Sequence, residues 1–121
     1  MSKYQINEHN TLFYIHHTPS RTDGITWVFF NALTGDTKMW ETEIGPRLRA
    51  EGHGTLSFNF RGQADSTFSP DCKLDSTLIV EDTCNLLREL APQRMVFCGL
   101  SIGGLFALQS WLTEKQNLDA V

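Results

Sequence analysis

Cysteine is scarce in this chain, and its spacing forms no pair. Cys72, Cys84 and Cys98 are odd in number and make no C-x-x-C, so reduced thiols in a cytoplasmic protein are the natural reading. Charge of one sign is nowhere concentrated: 10 Lys and Arg stand against 14 Asp and Glu, for a net charge of −4. Without a block of like charges, nucleic acid and anionic membrane surfaces are not expected partners. No uninterrupted apolar segment approaches the length that spans a bilayer. Residues 1–8 have no apolar core and do not read as a signal peptide. Neither a G-x-x-x-x-G-K-[ST] nor a G-x-G-x-x-G spacing occurs, which removes a phosphate-cradling loop. Internal repeats and low-complexity stretches are missing too. What is present is 121 residues, 40% hydrophobic and 20% charged, the balance of one globular domain.

The most informative run is Gly99-Leu100-Ser101-Ile102-Gly103-Gly104. Residues 94–98 before it are short, apolar and bounded, as a buried parallel strand should be. Residues 105–112 after it read as a mostly apolar helix. A serine on such a strand–turn–helix junction takes a strained backbone position with its hydroxyl held above the sheet. Gly99 and Gly103 are expected there because a Cβ would collide across so sharp a turn. The Ile102 N–H then lies at a helix N-terminus, where it can stabilise an oxyanion. This is the nucleophile-elbow pattern, with Ser101 as candidate nucleophile.

The rest of the chain alternates. Residues 3–8 and 11–17 read as a hairpin about a turn at Glu8-His9-Asn10, followed by a polar loop over 19–24. Residues 25–30 form an apolar strand running into Asn31-Ala32-Leu33-Thr34-Gly35. A helix is expected from 38 to 50, stopped by Gly52 and Gly54. A strand over 55–60 opens into Arg61-Gly62-Gln63-Ala64-Asp65-Ser66, and a loop covers 70–75. An amphipathic helix begins at Asp75 or Ser76 and ends at Pro92. The order specifies an α/β fold, a mostly parallel sheet with helices on both faces and an antiparallel hairpin leading in.

Three stretches together resemble the N-terminal half of the α/β-hydrolases, most closely the branch of 3-oxoadipate enol-lactonases and related esterases. They are Asn31-Ala32-Leu33-Thr34-Gly35 with Met39-Trp40, Arg61-Gly62-Gln63-Ala64-Asp65-Ser66, and the run around Ser101. The resemblance covers nearly the whole of residues 1–121 and implies a partial domain: strands one to five, three helices and the start of strand six. It implies a second oxyanion donor at the Leu33 backbone N–H, and substrate contacts at Asn31, Ala32 and Leu100. In the second stretch Asn59 stands where the family usually has Asp, and Ala64 where it usually has Gly. No cofactor and no metal are implied; the partner is a small ester or lactone substrate.

The resemblance also marks what is missing. The family's triad runs Ser, then Asp or Glu, then His along the chain. Twenty residues follow Ser101, and they hold Glu114 and Asp119 but no histidine. The expectation is a truncated serine hydrolase of esters or lactones, inactive by itself. It should associate with itself or with the missing C-terminal portion. The alternative is a non-catalytic half-fold serving association or binding.

Other candidates read as structural. His16 and His17 point to opposite faces of a strand and cannot share a metal. His9 and His53 are expected in solvent-exposed turns. Trp40 reads as packing, Arg61 as a brace for its own loop, and Cys98 as a small core side chain. Asp82 reads as a solvated helix-face residue, and Glu114 and Asp119 as surface acids.

Overall fold

The computed structural model describes residues 2–7, 10–61, 63, 76–114 and 118–120. The turn at Glu8-His9, most of the loop from Gly62 to Asp75 with Cys72, and the side chains of Glu114 and Asp119 lie outside the described residues.

Strands β1 (Ser2–Asn7) and β2 (Asn10–His17) form the antiparallel hairpin. Strand β3 (Thr26–Phe30) is central, parallel to β4 (Gly54–Phe58) on one side and to β5 (Met95–Gly99) on the other. Strand β6 (Leu118–Ala120) adds in parallel beyond β5, and β2 closes onto β4 antiparallel. The order is β1-β2-β4-β3-β5-β6. All five residues of β4 are buried, as a strand covered on both faces requires, so its sequence reads as a continuous run and not an alternation.

One face carries the main core. Val28, Phe30, Leu56, Phe58 and Phe97 meet helix α3 (Ser76–Leu90) through Ile79, Val80 and Leu87, and helix α4 (Ile102–Glu114) through Phe106 and Ala107. Phe30 contacts both Phe58 and Phe97, and Phe60 contacts Phe106, with ring centroids 5.0–5.4 Å apart. The opposite face is covered by helices α1 (Lys38–Glu41) and α2 (Ile44–Ala50). There Trp40 stacks on Phe29 at 4.7 Å, and Arg49 bonds to Thr55 and Glu41.

Two expectations about the helices need correction. The single helix over 38–50 divides at Thr42-Glu43. Pro46 lies in the first turn of α2, where its missing N–H costs nothing, but its ring would strike a helical carbonyl four residues earlier. Asp82 is not solvated. It is 3% exposed and bidentate with Arg61 beyond β4, at 2.6 and 2.8 Å. Arg61 thus braces α3, while the loop it was expected to brace lies mostly outside the described residues. Helix α3 ends as expected before Pro92, through Ala91 in the left-handed region (φ 47°), whose N–H donates to the Leu87 carbonyl.

Candidate active site

The turn after β5 has the backbone that its glycines predict. Ser101 lies at φ 58° and is exposed. A non-glycine residue held there carries about 1–3 kcal/mol of strain, which persists only where the surroundings over-determine it. Three constraints do so here. The Leu100 N–H donates to the Phe30 carbonyl at 3.1 Å, while the Gly103 and Gly104 N–H groups close onto the Leu100 and Ser101 carbonyls at 3.0 and 2.9 Å. A Cβ on Gly99 would come within 2.5 Å of the Gly103 backbone, and one on Gly103 would strike the carbonyl oxygens of Phe30 and Asn31. The Ile102 N–H, at the first position of α4, has no intrahelical acceptor.

The second loop starts beside this turn, since β3 pairs with β5 up to Phe30 opposite Gly99. Residues 32–35 form a turn closed by Gly35 N–H donating to the Ala32 carbonyl at 3.0 Å. Leu33 projects from it, 72% exposed, and Leu100 is 47% exposed nearby in the elbow. Asn31 lies beneath this surface: it is fully buried and its amide is occupied by protein. The two hydrogens of its Nδ2 are shared among the Phe58 carbonyl, Asn59 Oδ1 and Gln63 Oε1, all within 3.1 Å, and its Oδ1 accepts from the Trp40 indole at 2.6 Å. A direct substrate contact by that side chain is therefore replaced by a scaffolding role. Asn59 Oδ1 also accepts from the Thr37 N–H at 3.1 Å, so at this position the loop uses an acceptor oxygen and does not require a charge.

Trp40 is packing, as expected, with its one polar atom satisfied from below the loop. Gln63 is the residue that sequence reasoning passed over. It bonds across 31 and 30 residues to the Ala32 and Leu33 carbonyls, and no local pattern announces such a contact.

The described histidines sit at the other end of the sheet. His16 and His17 pair with Leu56 and Thr55 on β4. Thr55 is level with Trp27 on β3, which is level with Val96 on β5. Ser101 lies beyond the opposite end of β5, and the stretch from Val96 to Gly99 alone is about 10 Å of strand. His53 is partly buried at that far end, where its Nδ1 accepts from the Ile25 N–H at 3.2 Å. Burial, and then the neighbouring His17, hold the His16 imidazole below its usual range. Burial pushes the Cys98 thiol up, which keeps this neighbour of the elbow protonated and a poor nucleophile. Among the described residues no three His, Cys, Asp or Glu side chains gather as metal ligands.

Comparison with known proteins gives a consistent result. The model of the alpha/beta hydrolase fold matches residues 27–121. A putative carbamate hydrolase RutD from Variovorax paradoxus is 29% identical over 107 residues, which is 88% of this chain and 39% of that protein. The 3-oxoadipate enol-lactonase 1 of Acinetobacter baylyi is 32% identical over 85 residues, 70% of this chain and 30% of that protein. The chain thus spans about a third of the length of these relatives. Among solved structures, one from work on carboxylesterases of Nitrososphaera gargenis superposes with a TM-score of 0.86 at 19% identity, covering 98% of this chain and 43% of that one. MGS-M2, an alpha/beta hydrolase enzyme from a Medee basin deep-sea metagenome library, gives 0.81 at 21% identity, with coverages of 97% and 41%. Likeness at that identity concerns the fold.

Proposed function

The chain belongs to the alpha/beta hydrolase fold family, and from that premise we propose that it carries the nucleophile of a serine hydrolase of carboxylic esters or lactones. The observation that carries this reading is Ser101 held at φ 58° between two glycines whose Cβ positions are blocked. In the proposed reaction Ser101 Oγ attacks the acyl carbon and its proton passes to a base. The negative charge on the tetrahedral oxygen is held by the Ile102 and Leu33 N–H groups. Collapse expels the alcohol, or opens the lactone ring, and leaves an acyl-serine that water then cleaves. The named activity of the enol-lactonase relative supports an acyl-oxygen substrate.

The base is proposed to come from outside these 121 residues. Three of the four histidines are described, and all three lie at the far end of the sheet, which supports inactivity of the chain by itself. The stripe of Leu105, Leu108 and Leu112 on α4, each about half exposed or more, supports association with a second copy or with a complementary segment. The free thiol of Cys98 supports a reducing, cytoplasmic setting. Among the described residues no helix is long and apolar enough to cross a membrane.

The test is hydrolysis of p-nitrophenyl acetate with and without free imidazole as a replacement base. The chain alone should turn over barely above buffer. Imidazole should raise the rate beyond its own background, and Ser101→Ala should abolish that excess. An imidazole effect identical in Ser101→Ala contradicts the proposal, and strong Ser101-dependent turnover without imidazole contradicts the missing base.

A further inference from the structure

Gln63 has all its amide capacity committed at the base of the loop beside Ser101. Its Oε1 accepts from the Phe60 N–H and from Asn31 Nδ2, each at 3.0 Å. Its Nε2 donates to the Ala32 carbonyl at 2.9 Å and to the Leu33 carbonyl at 3.0 Å. The amide can sit only this way round, because a backbone N–H only donates and backbone carbonyls only accept.

Holding those carbonyls has a directional consequence. No described peptide is cis, and in a trans peptide the C=O and the following N–H point opposite ways. Drawing the Ala32 and Leu33 carbonyls toward Gln63 therefore turns the Leu33 and Thr34 N–H groups away from it. Gln63 approaches from the end of β4, and the sheet order β4-β3-β5 puts Ser101 on the other side of the loop. The two N–H groups thus face the side that carries Ser101.

We propose that Gln63 is a positioning residue for the oxyanion site: by gripping two consecutive carbonyls it aims the Leu33 and Thr34 N–H groups at the oxygen bound beside Ser101. This rests on the serine-hydrolase reading and adds a second loop donor to it. An unheld loop could rotate either peptide to offer a carbonyl instead, which would repel the oxyanion.

The probe is phenylboronic acid with the full chain, followed by boron NMR at mildly alkaline pH. A Ser101 Oγ–boron bond forms, the serine proton leaves to solvent, and the boron takes on the negative charge of a tetrahedral adduct. The expected result is an adduct in the wild-type chain that is absent in Ser101→Ala. It should be weakened about 100- to 1000-fold in both Gln63→Leu and Gln63→Glu, the scale of a lost oxyanion donor. In the wild type the Leu33 and Thr34 amide protons should shift on adduct formation, and in Gln63→Glu they should not. The Trp40 indole resonance, set by its bond to Asn31, reports that the loop base remains folded. If Gln63→Leu loses it, the isosteric Gln63→Glu decides. A Ser101-dependent adduct equally tight in a folded Gln63 variant overturns the positioning role and leaves the hydrolase reading standing. A wild-type chain with no Ser101-dependent adduct overturns both.

Discussion

Asp82 and Arg61 form an ion pair in which both side chains are 4% exposed, with contacts of 2.6 and 2.8 Å. Burial pushes the Asp82 carboxyl up, against the opposing pull of the guanidinium. The carboxylate is therefore tolerated there because Arg61 faces it. Asp82→Ala removes the carboxylate that faces a buried guanidinium and should cost about 3–5 kcal/mol of stability. Urea unfolding measures it, and the Asp82→Leu/Arg61→Met double variant should be destabilised less than the single one. A loss within about 0.5 kcal/mol, the range of ordinary surface substitutions, would show the pair to be dispensable. The pair was not legible in the sequence, because an acid on an amphipathic helix looks solvated until its partner, 21 residues away, is placed. Gln63 is hidden for the same reason. Ser101 was legible because its strain is written locally, in glycines at fixed offsets on either side.

Elements follow the same division between local and distant causes. The strands around β3 and β5 are bounded by glycines and polar turns, so their existence could be read directly. The break between α1 and α2 was also written in the chain, at Pro46, and needed only the steric rule for the turn before a proline. Helix α4 is apolar beyond the face it buries. It buries Phe106 and Ala107 against the core yet leaves Leu105, Leu108 and Leu112 at 51%, 49% and 64% exposure. A helix apolar on more than one face is built to be covered on more than one face. Light scattering at micromolar concentration should therefore return a mass above the 13.7 kDa of one chain. Exchanging the three leucines for serine should move it toward the monomer. A wild-type chain that stays monomeric contradicts the association proposal.

At the scale of the molecule, parallel strands collect their C-terminal ends along one rim, and loops on that rim can cooperate in a site. Here β3 delivers the Asn31 loop, β4 delivers Asn59, Arg61 and Gln63, and β5 delivers Ser101. The same topology sends the described histidines to the opposite rim. Their order along the chain already denied the family's triad a histidine, but their separation from Ser101 appeared only once the strands were in register. The central claim is that Ser101 is the nucleophile of an acyl-transfer site, and the most direct measurement is where an acyl group lands. After incubation with p-nitrophenyl acetate and imidazole, peptide mass mapping should find acetyl on the peptide containing Ser101, and Ser101→Ala should remove it. Acetyl confined to lysines or the amino terminus, unchanged in Ser101→Ala, would contradict the account.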